Sequence, residues 1–219
     1  MTEEDTRQKL IGHARALLNE SGYRELRVRA VAKAAGLSPG APYRHFAHGF
    51  PELLASLAIE GFEEIMRVLE RSVKSDDPRE RIIEVSLAYV RFGVEQPELY
   101  RAMFSAHLAM PVESFDEMFQ AGEIAFSTRK TYQELASLKR EAFERMVRPL
   151  EYAKELKVLK PGDARDFGLA LCALVHGLVG EFIDEGLGIR SSRKQPWSKA
   201  RRDMSRSIVE MLLNGLTRT

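Results

Sequence analysis

Few residues in this chain could carry covalent chemistry, and their spacing argues against an enzyme. Residues 36–40 read G-L-S-P-G and match the G-x-S-x-G nucleophile elbow, which would make Ser38 an esterase nucleophile. That elbow needs a strand before the serine, whereas the apolar spacing over 30–35 is helical. We therefore expect no enzyme activity and interpret Ser38, followed by Pro39, as the cap of a helix.

A metal site, an internal disulfide and a membrane-spanning segment are also not expected. The five histidines include no pair at metal-ligand spacing with a carboxylate or thiolate partner, which predicts no metal site and no cofactor. Cys172 is the single cysteine, and the acidic start MTEEDTRQKL is unlike a signal peptide, so a cytoplasmic location is predicted. The longest nearly apolar run, 168–180, is shorter than the roughly 20 residues that cross a bilayer, so no membrane partner is expected.

Charge is balanced over the whole chain but not within it. The 219 residues carry 33 Lys and Arg against 32 Asp and Glu, for a net charge of +1, and 44% of residues are hydrophobic. This composition is ordinary for one or two globular domains and excludes a uniformly basic surface. Residues 24–49, however, hold five basic residues against Glu25 alone. A local polyanion-binding patch is therefore possible.

Helical spacing of apolar residues covers the whole chain, and no window alternates like a strand, so the predicted fold class is all-α. The first helix is expected at about 4–20, two short helices flank a turn at Gly36, and a long helix runs over about 51–75. The Ser75–Pro78 cluster is the best domain boundary. Further helices are predicted over about 78–96, 98–108, 114–123, 127–157 and 164–186, then a solvated basic loop at 189–203 and a last helix containing Ile208 and Leu216.

The turn at Gly36 has helix-turn-helix spacing. Ala32, a small residue, stands four positions before Gly36, and apolar Leu37 follows it, which packs one short helix steeply across another. The second helix of such a unit enters the DNA major groove and needs hydrogen-bonding groups on its exposed side. Three consecutive residues meet that demand: Tyr43, Arg44 and His45.

The stretch AKAAGLSPGAPYRHF at 32–46, followed by Leu53 and Leu54, resembles the TetR family of transcriptional regulators. The resemblance implies a homodimeric repressor that binds a double-stranded DNA operator through an N-terminal three-helix domain and a small effector through a C-terminal helical bundle. It implies a DNA-binding domain at 1–50, a linking helix at about 51–75, and an effector-binding and dimerisation domain at 76–219. The expected DNA-binding residues are Arg27, Arg29, Ser38, Pro39, Gly40, Ala41, Tyr43, Arg44 and His45.

Three departures from the family pattern affect this expectation. Arg27 stands where a Ser or Thr often caps the second helix, so its guanidinium would replace a hydroxyl at phosphate. Pro42 occupies the inward apolar position of the recognition helix and lacks a needed N–H, so the helix is expected to start later than Ser38 suggests. Gly49 replaces a phosphate-contacting Lys, which predicts lower non-specific affinity.

A second resemblance concerns the C-terminal half. Residues 88–92 (AYVRF), 96–104 (QPELYRAMF) and 175–178 (VHGL) are similar to the TetR subgroup whose C-terminal domain is named for a Trp-His-Gly (WHG) motif. Cys172 stands where that subgroup has its Trp. The missing indole leaves two alternatives open, a wider cavity or a repacked core.

An apolar or amphipathic effector is expected in the C-terminal domain, because aromatic and Met side chains over 89–146 exceed what one helix layer needs. Its candidate contacts are Phe92, Met103, Phe104, Phe119, Phe126, Phe143, Met146, Cys172 and His176. A lone His in such a helix is more often a hydrogen-bonded core residue, and its contact with the effector is the functional alternative.

The helix at 164–186 is apolar on two sides, which predicts burial on two sides. We expect one of these sides to pack against the second subunit of a two-fold dimer. The expected interface residues are Ala173, Gly177 and Gly180, with Ile208, Met211 and Leu212 from the last helix. A wholly intramolecular core is the alternative for these residues. For the whole chain, the alternative function is a helical small-molecule-binding or enzymatic protein without a role on DNA.

Overall fold

The chain is helical throughout the residues that the computed structural model describes, which are 3–105, 108, 112–123, 125–184 and 197–217. Across these ranges there is no strand, only an isolated antiparallel bridge between Leu159 and Thr217. The predicted all-α class is confirmed. The helices are α1 (Glu3–Ser21), α2 (Val28–Ala34), α3 (Pro42–His45), α4 (Phe50–Ser72), α5 (Pro78–Glu95), α6 (Pro97–Met103), α7 (Val112–Gln120), α8 (Phe126–Glu155), α9 (Ala164–Asp184) and α10 (Lys199–Leu216), with a 3-10 turn at Tyr23–Glu25.

One compact unit comprises the chain up to Glu63 together with Glu98–Lys139. In its N-terminal part, α1 packs against α2 and α3. Leu10, Ala14 and Leu18 are fully buried, because residues four apart lie on one face of α1 and that face meets the other two helices. The predicted three-helix arrangement is therefore present.

The second compact unit comprises Glu64–Pro97 with Arg140–Thr219. Here α5 packs against both α9 and α10. Its start is fixed by Asp77, whose carboxylate accepts the Glu80 N–H at 2.8 Å, and by Pro78 in the first turn. Helices α4 and α8 contribute residues to both units. The functional division at residues 50 and 76 stays a prediction.

Two predicted boundaries differ from the structure. The helix expected at 98–108 ends at Met103, since the Ser105 N–H bonds the carbonyl three residues back, Ala102, and the last turn tightens. The basic loop expected at 189–203 gives way to α10 after Ser198, whose hydroxyl caps the helix at the Arg201 N–H (3.3 Å). Residues 189–196 of that loop lie outside the described residues.

The sequence predicts that the whole basic segment is solvated, but its C-terminal end is partly buried. Arg201 is only 7% exposed, and its guanidinium carbon lies 5.0 Å from the ring centre of Phe182. Burial lowers the pKa of this guanidinium. The side chain therefore contributes to packing between α9 and α10.

Candidate nucleic-acid interface

A tight turn joins α2 to α3 and fixes the angle between them. Gly36 has a φ of +71°, a left-handed conformation that costs glycine nothing sterically. Its N–H donates to the Lys33 carbonyl (3.1 Å), and the Leu37 N–H donates to the Ala32 carbonyl (2.9 Å). This pair of bonds is a Schellman motif, which ends α2 and redirects the chain. The turn predicted at Gly36 is present.

The recognition helix α3 starts later than a Ser38 cap would allow. Pro42 has no N–H to donate to the Ser38 carbonyl, and the Ala41 N–H donates there instead (3.0 Å). Helix α3 therefore begins at Pro42, and no side chain caps it. The predicted capping role of Ser38 is wrong, whereas the late start predicted from Pro42 is confirmed.

The inward residues of α3 leave its polar side chains facing out. Pro42 is buried and Phe46, directly after the helix, is fully buried. Tyr43 is 51% exposed, Arg44 is exposed, and His45 is half-buried. The side chains of Tyr43 and Arg44 are thus accessible to a ligand as large as a DNA duplex.

A basic groove lies beside the recognition helix. Its volume is about 720 Å³, and it is lined by Tyr23, Arg24, Arg27, Val28, Arg29, Tyr43 and Phe50. Three of these residues are arginines and none is acidic, so the groove favours an anion. Its tyrosine and arginine side chains are of the kinds that bind phosphate backbones.

Gly49 lies beside Tyr43, one of the residues that line this groove. A Cβ at Gly49 would lie 3.4 Å from the Tyr43 ring, and the residue has a φ of +67°. Glycine is favoured there because most side chains resist that left-handed conformation. The backbone conformation, and not the space beside the Tyr43 ring, therefore favours glycine at this position.

Arg27 is held at the start of α2 by its own neighbours. The residue is extended and its side chain does not cap the helix. Instead, Nη1 donates to the carbonyls of Arg24 (2.7 Å) and Leu26 (2.8 Å). The guanidinium has further N–H groups on its other nitrogens, which suits the phosphate role predicted for it.

The predicted DNA-binding set is gathered on the surface of the first unit. Ala41 and His45 are half-buried, and the other seven members are exposed, namely Arg27, Arg29, Ser38, Pro39, Gly40, Tyr43 and Arg44. Sequence reasoning missed Tyr23, Arg24 and Phe50, which line the same groove. The charge of Arg24 had been counted, but the groove itself is formed by residues far apart in the sequence. Contact of this set with DNA stays a prediction.

The predicted effector set is divided between the two units. Met103, Phe104, Phe119 and Phe126 belong to the first unit, and Phe92, Phe143, Met146, Cys172 and His176 belong to the second. Phe119 and Phe126 pair edge-on with ring centres 6.1 Å apart, although Phe126 is 66% exposed. In the second unit Phe92 lines a groove of about 640 Å³ together with Trp197 and Arg202.

His176 is exposed on α9, so it is not the core residue of the alternative interpretation, and Cys172 is half-buried. The Tyr89 hydroxyl lies 3.4 Å from Nδ1 of His176, and partial burial lowers the pKa of this imidazole. Burial raises the pKa of the Cys172 thiol to about 11, so the thiol is neutral at physiological pH and a poor nucleophile. Neither residue therefore suggests covalent chemistry, and their effector contacts stay predictions.

The predicted dimer residues lie on an open face of α9 and α10. Ala173 and Gly177 are exposed, and a Cβ added at Gly177 or Gly180 would meet nothing within 4 Å. Met211 is 68% exposed, and Ile208 and Leu212 are half-buried. Among the described residues this apolar face is not covered, which favours association over intramolecular packing.

The predicted absences concern metal sites and membrane spans. The described residues contain no group of three or more His, Cys, Asp or Glu side chains that could hold a metal ion. Within the same residues one helix, α9, is long and apolar enough to cross a membrane by length and composition. Core helices of globular proteins meet the same criteria, and α9 packs against α5 and α10.

Comparison with known proteins identifies both ends of the chain. Residues 10–48 match the bacterial regulatory proteins of the tetR family, and residues 82–204 match the tetracyclin repressor-like C-terminal domain. No curated protein matches the sequence.

Solved structures share the fold over almost the whole chain. A protein of unknown function from a Rhodococcus species is 23% identical, with 97% of this chain and 95% of that chain covered and a TM-score of 0.69. The TetR family transcriptional regulator PfmR from Thermus thermophilus is 20% identical, with 96% and 100% covered and a TM-score of 0.64. The fatty acid degradation regulator FadR from Bacillus halodurans is 14% identical, with 97% of each chain covered and a TM-score of 0.65.

The C-terminal match alone spans more than half of the chain, and the N-terminal match contains the Gly36 turn and the recognition helix. The chain therefore belongs to the TetR family of transcriptional regulators.

Proposed function

We propose that this cytoplasmic regulator represses transcription by binding a palindromic operator as a homodimer, and that a small effector changes its affinity for DNA. The observation that carries the proposal is the basic groove beside the exposed side chains of Tyr43 and Arg44. Phosphate contacts from the groove would set the register, and Arg44 would reach base edges or phosphate in the major groove.

The homodimer is supported by the open apolar face of α9 and α10. Glycines on that face allow two helices to approach closely, and the exposed Met211 side chain supplies apolar area. A two-fold axis through this face pairs each patch with its own copy and presents two recognition helices to two half-sites.

The proposed effector is apolar or amphipathic, and the proposed C-terminal subgroup is the WHG one. The effector proposal rests on the aromatic and Met residues described above and on the small Cys172 in place of a Trp. The subgroup proposal rests on the sequence similarity of residues 88–92, 96–104 and 175–178, from which Cys172 departs. The effector must bind one state of the dimer more tightly than the other, because equal affinity would shift nothing. Fatty acids are suitable first probes, since FadR, which shares the fold, is named for fatty acid degradation.

The deciding experiment is selection of DNA fragments by the purified protein, followed by affinity measurements over a range of salt concentrations. We expect a partly palindromic site whose affinity falls steeply with salt, because phosphate contacts release counterions. Failure to enrich any duplex, together with catalytic turnover or ligand transport, would support the alternative function without DNA.

The effector screen combines thermal shift and gel shift on the wild type and on Cys172→Trp. We expect the compounds that bind to alter operator binding. If the cavity adjoins residue 172, the larger Trp side chain should lower the affinity of these compounds for the protein. Hits unaffected by Cys172→Trp would place the cavity elsewhere.

A further inference from the structure

A buried carboxylate stands in the first turn of α4, shortly after the recognition helix in the chain. Glu52 is 1% exposed. Its Oε2 accepts the His48 N–H at 3.0 Å and the Thr128 hydroxyl at 2.8 Å, while Oε1 has no hydrogen-bond partner within the described chain. Burying a carboxylate in this way is expensive compared with burying an apolar side chain.

The partners of this region form one face at the start of α8. Thr128, Thr131 and Tyr132 follow the i, i+3, i+4 spacing of a single helix face, and none is more than 6% exposed. The Tyr132 hydroxyl lies 2.9 Å from Nδ1 of His48, and the two rings pack edge-on. All of these residues belong to the first compact unit.

A third link runs to α1. Nη2 of Arg7 donates to the Ser56 hydroxyl at 2.8 Å and to the Thr131 hydroxyl at 3.3 Å. The same guanidinium lies 5.2 Å from the ring centre of Phe46, the buried residue that follows α3. Polar contacts therefore tie one face of α8 to α1, to the segment after α3 and to α4.

The protonation state of Tyr132 suits a donor in this cluster. Burial, and to a smaller extent the charge of Glu52, raise the pKa of the Tyr132 phenol above its usual range. The phenol therefore keeps its proton and can donate a hydrogen bond to Nδ1 of His48. His48 stands three residues after the last residue of α3, so this bond acts close to the recognition helix.

We propose that Glu52, Thr128 and Tyr132 are positioning residues that set the orientation of the recognition helix and thereby control operator affinity through α8. The inference rests on the proposed function. Its physical basis is that hydrogen bonds are directional whereas apolar contacts are not, and that a buried polar cluster restricts the arrangements a core can adopt. Residues 126–139 of α8 belong to the first unit and 140–155 to the second, so the helix that carries the cluster continues along the chain into the second compact unit.

The test compares Thr128→Val and Tyr132→Phe with the wild type and with Tyr152→Phe. Tyr152 lies in the same helix but in the second unit, so this control removes the same hydroxyl away from the cluster. Affinity is measured for the selected operator and for a random duplex, well below the unfolding temperature, so that a loss of stability alone does not change the folded fraction.

We expect each cluster variant to weaken operator binding by about five- to tenfold, as loss of one hydrogen bond predicts. Random-duplex affinity should change by less than about twofold, since it depends on phosphate charge. Tyr152→Phe should change neither. A parallel loss on both duplexes, or no loss on either, would overturn the proposal.

Glu52 itself is tested by rescue. Glu52→Gln keeps an acceptor oxygen for His48 and Thr128 and should retain most operator affinity, whereas Glu52→Leu should lose it. Equal behaviour of the two variants would contradict the positioning role. Hydrogen exchange at the His48 amide gives a reading that needs no DNA: faster exchange in Thr128→Val than in Tyr152→Phe is expected even if no operator exists, which separates this inference from the proposed function.

Discussion

Single residues determine the backbone conformation of the segment from Gly36 to Phe46, which contains the turn and α3. Gly36 accepts the left-handed conformation that closes α2, and Pro42 removes one N–H and so moves the start of α3 four residues beyond Ser38. Between these two points the chain forms turns and not helix. The four-residue helix that results presents Tyr43 and Arg44 outward because Pro42 and Phe46 are buried.

Arg44→Ala should weaken operator binding by about 1–3 kcal/mol if the guanidinium pairs with a guanine. Fluorescence anisotropy on the selected operator and on a random duplex measures this. Arg140→Ala removes the same charge from an exposed position on α8 in the second unit and should leave both affinities nearly unchanged. An equal loss on both duplexes would reassign Arg44 to phosphate.

Gly168→Ala should lower the free energy of unfolding by about 1–2 kcal/mol. A Cβ there would lie 2.6 Å from Cγ2 of Val147, a fully buried β-branched side chain with little freedom to move. This clash outweighs the roughly 0.5–1 kcal/mol that alanine contributes in a helix. Urea denaturation gives the free energy.

The control for that substitution is Gly12→Ala in α1, where an added Cβ meets nothing within 4 Å. It should raise stability slightly through helix propensity alone. If Gly168→Ala proved as stabilising as Gly12→Ala, the close packing of α8 against α9 would be disproved.

At the scale of elements, an ion pair joins the start of α5 to α10. The Glu80 carboxylate accepts two hydrogen bonds from Arg206, at 2.7 and 2.5 Å, and Arg206 also bonds Glu210 in the next turn. The bidentate hydrogen bond from Arg206 lowers the pKa of Glu80. Both side chains remain about a third exposed, which limits the energy of the pair.

Glu80→Gln should therefore lower stability at neutral pH by about 0.5–1 kcal/mol. Because the pKa of Glu80 is lowered in the fold, its contribution is present above the pKa of the unfolded chain and is lost as pH falls through the folded value. The stability difference between wild type and variant should disappear under acid conditions, as urea titrations from neutral to acid pH can measure. Glu95→Gln, which breaks the exposed pair with Arg91, is the control and should have a smaller effect. A difference that persists at low pH would contradict the role of the ion pair.

At the scale of the whole molecule, the apolar face of α9 and α10 is left exposed by the described residues. The chain leaves Met211 largely exposed beside glycines whose missing side chains leave space. Exposed apolar patches of this kind are typical of protein–protein association surfaces.

Gly177→Leu should dissociate the proposed homodimer, because an isobutyl group at a two-fold interface separates two backbones at once. Sedimentation velocity at micromolar protein measures the change. Gly12→Leu, on an exposed position of α1, is expected to leave the dimer intact. An unchanged dimer in Gly177→Leu would place the interface elsewhere.

The elements that were predictable carry strong local signals. Apolar spacing located α1, α4, α5, α8 and α9 to within a few residues, and Asp77 with Pro78 fixed the start of α5. The errors lie where one local signal competes with another. Ser38 with Pro39 has the form of a helix start, but Pro42 removes the bond that such a start requires.

The sequence alone determined the all-α class and the helix-turn-helix segment, because helix periodicity and the Gly36 turn depend on residues a few positions apart. Only the tertiary structure could show that Glu52 meets Thr128 and that Arg24 and Phe50 line one groove. A charged residue in a helical pattern predicts exposure, and Glu52 is buried because partners distant in sequence surround it. Such contacts arise from packing between elements, and no local spacing encodes them.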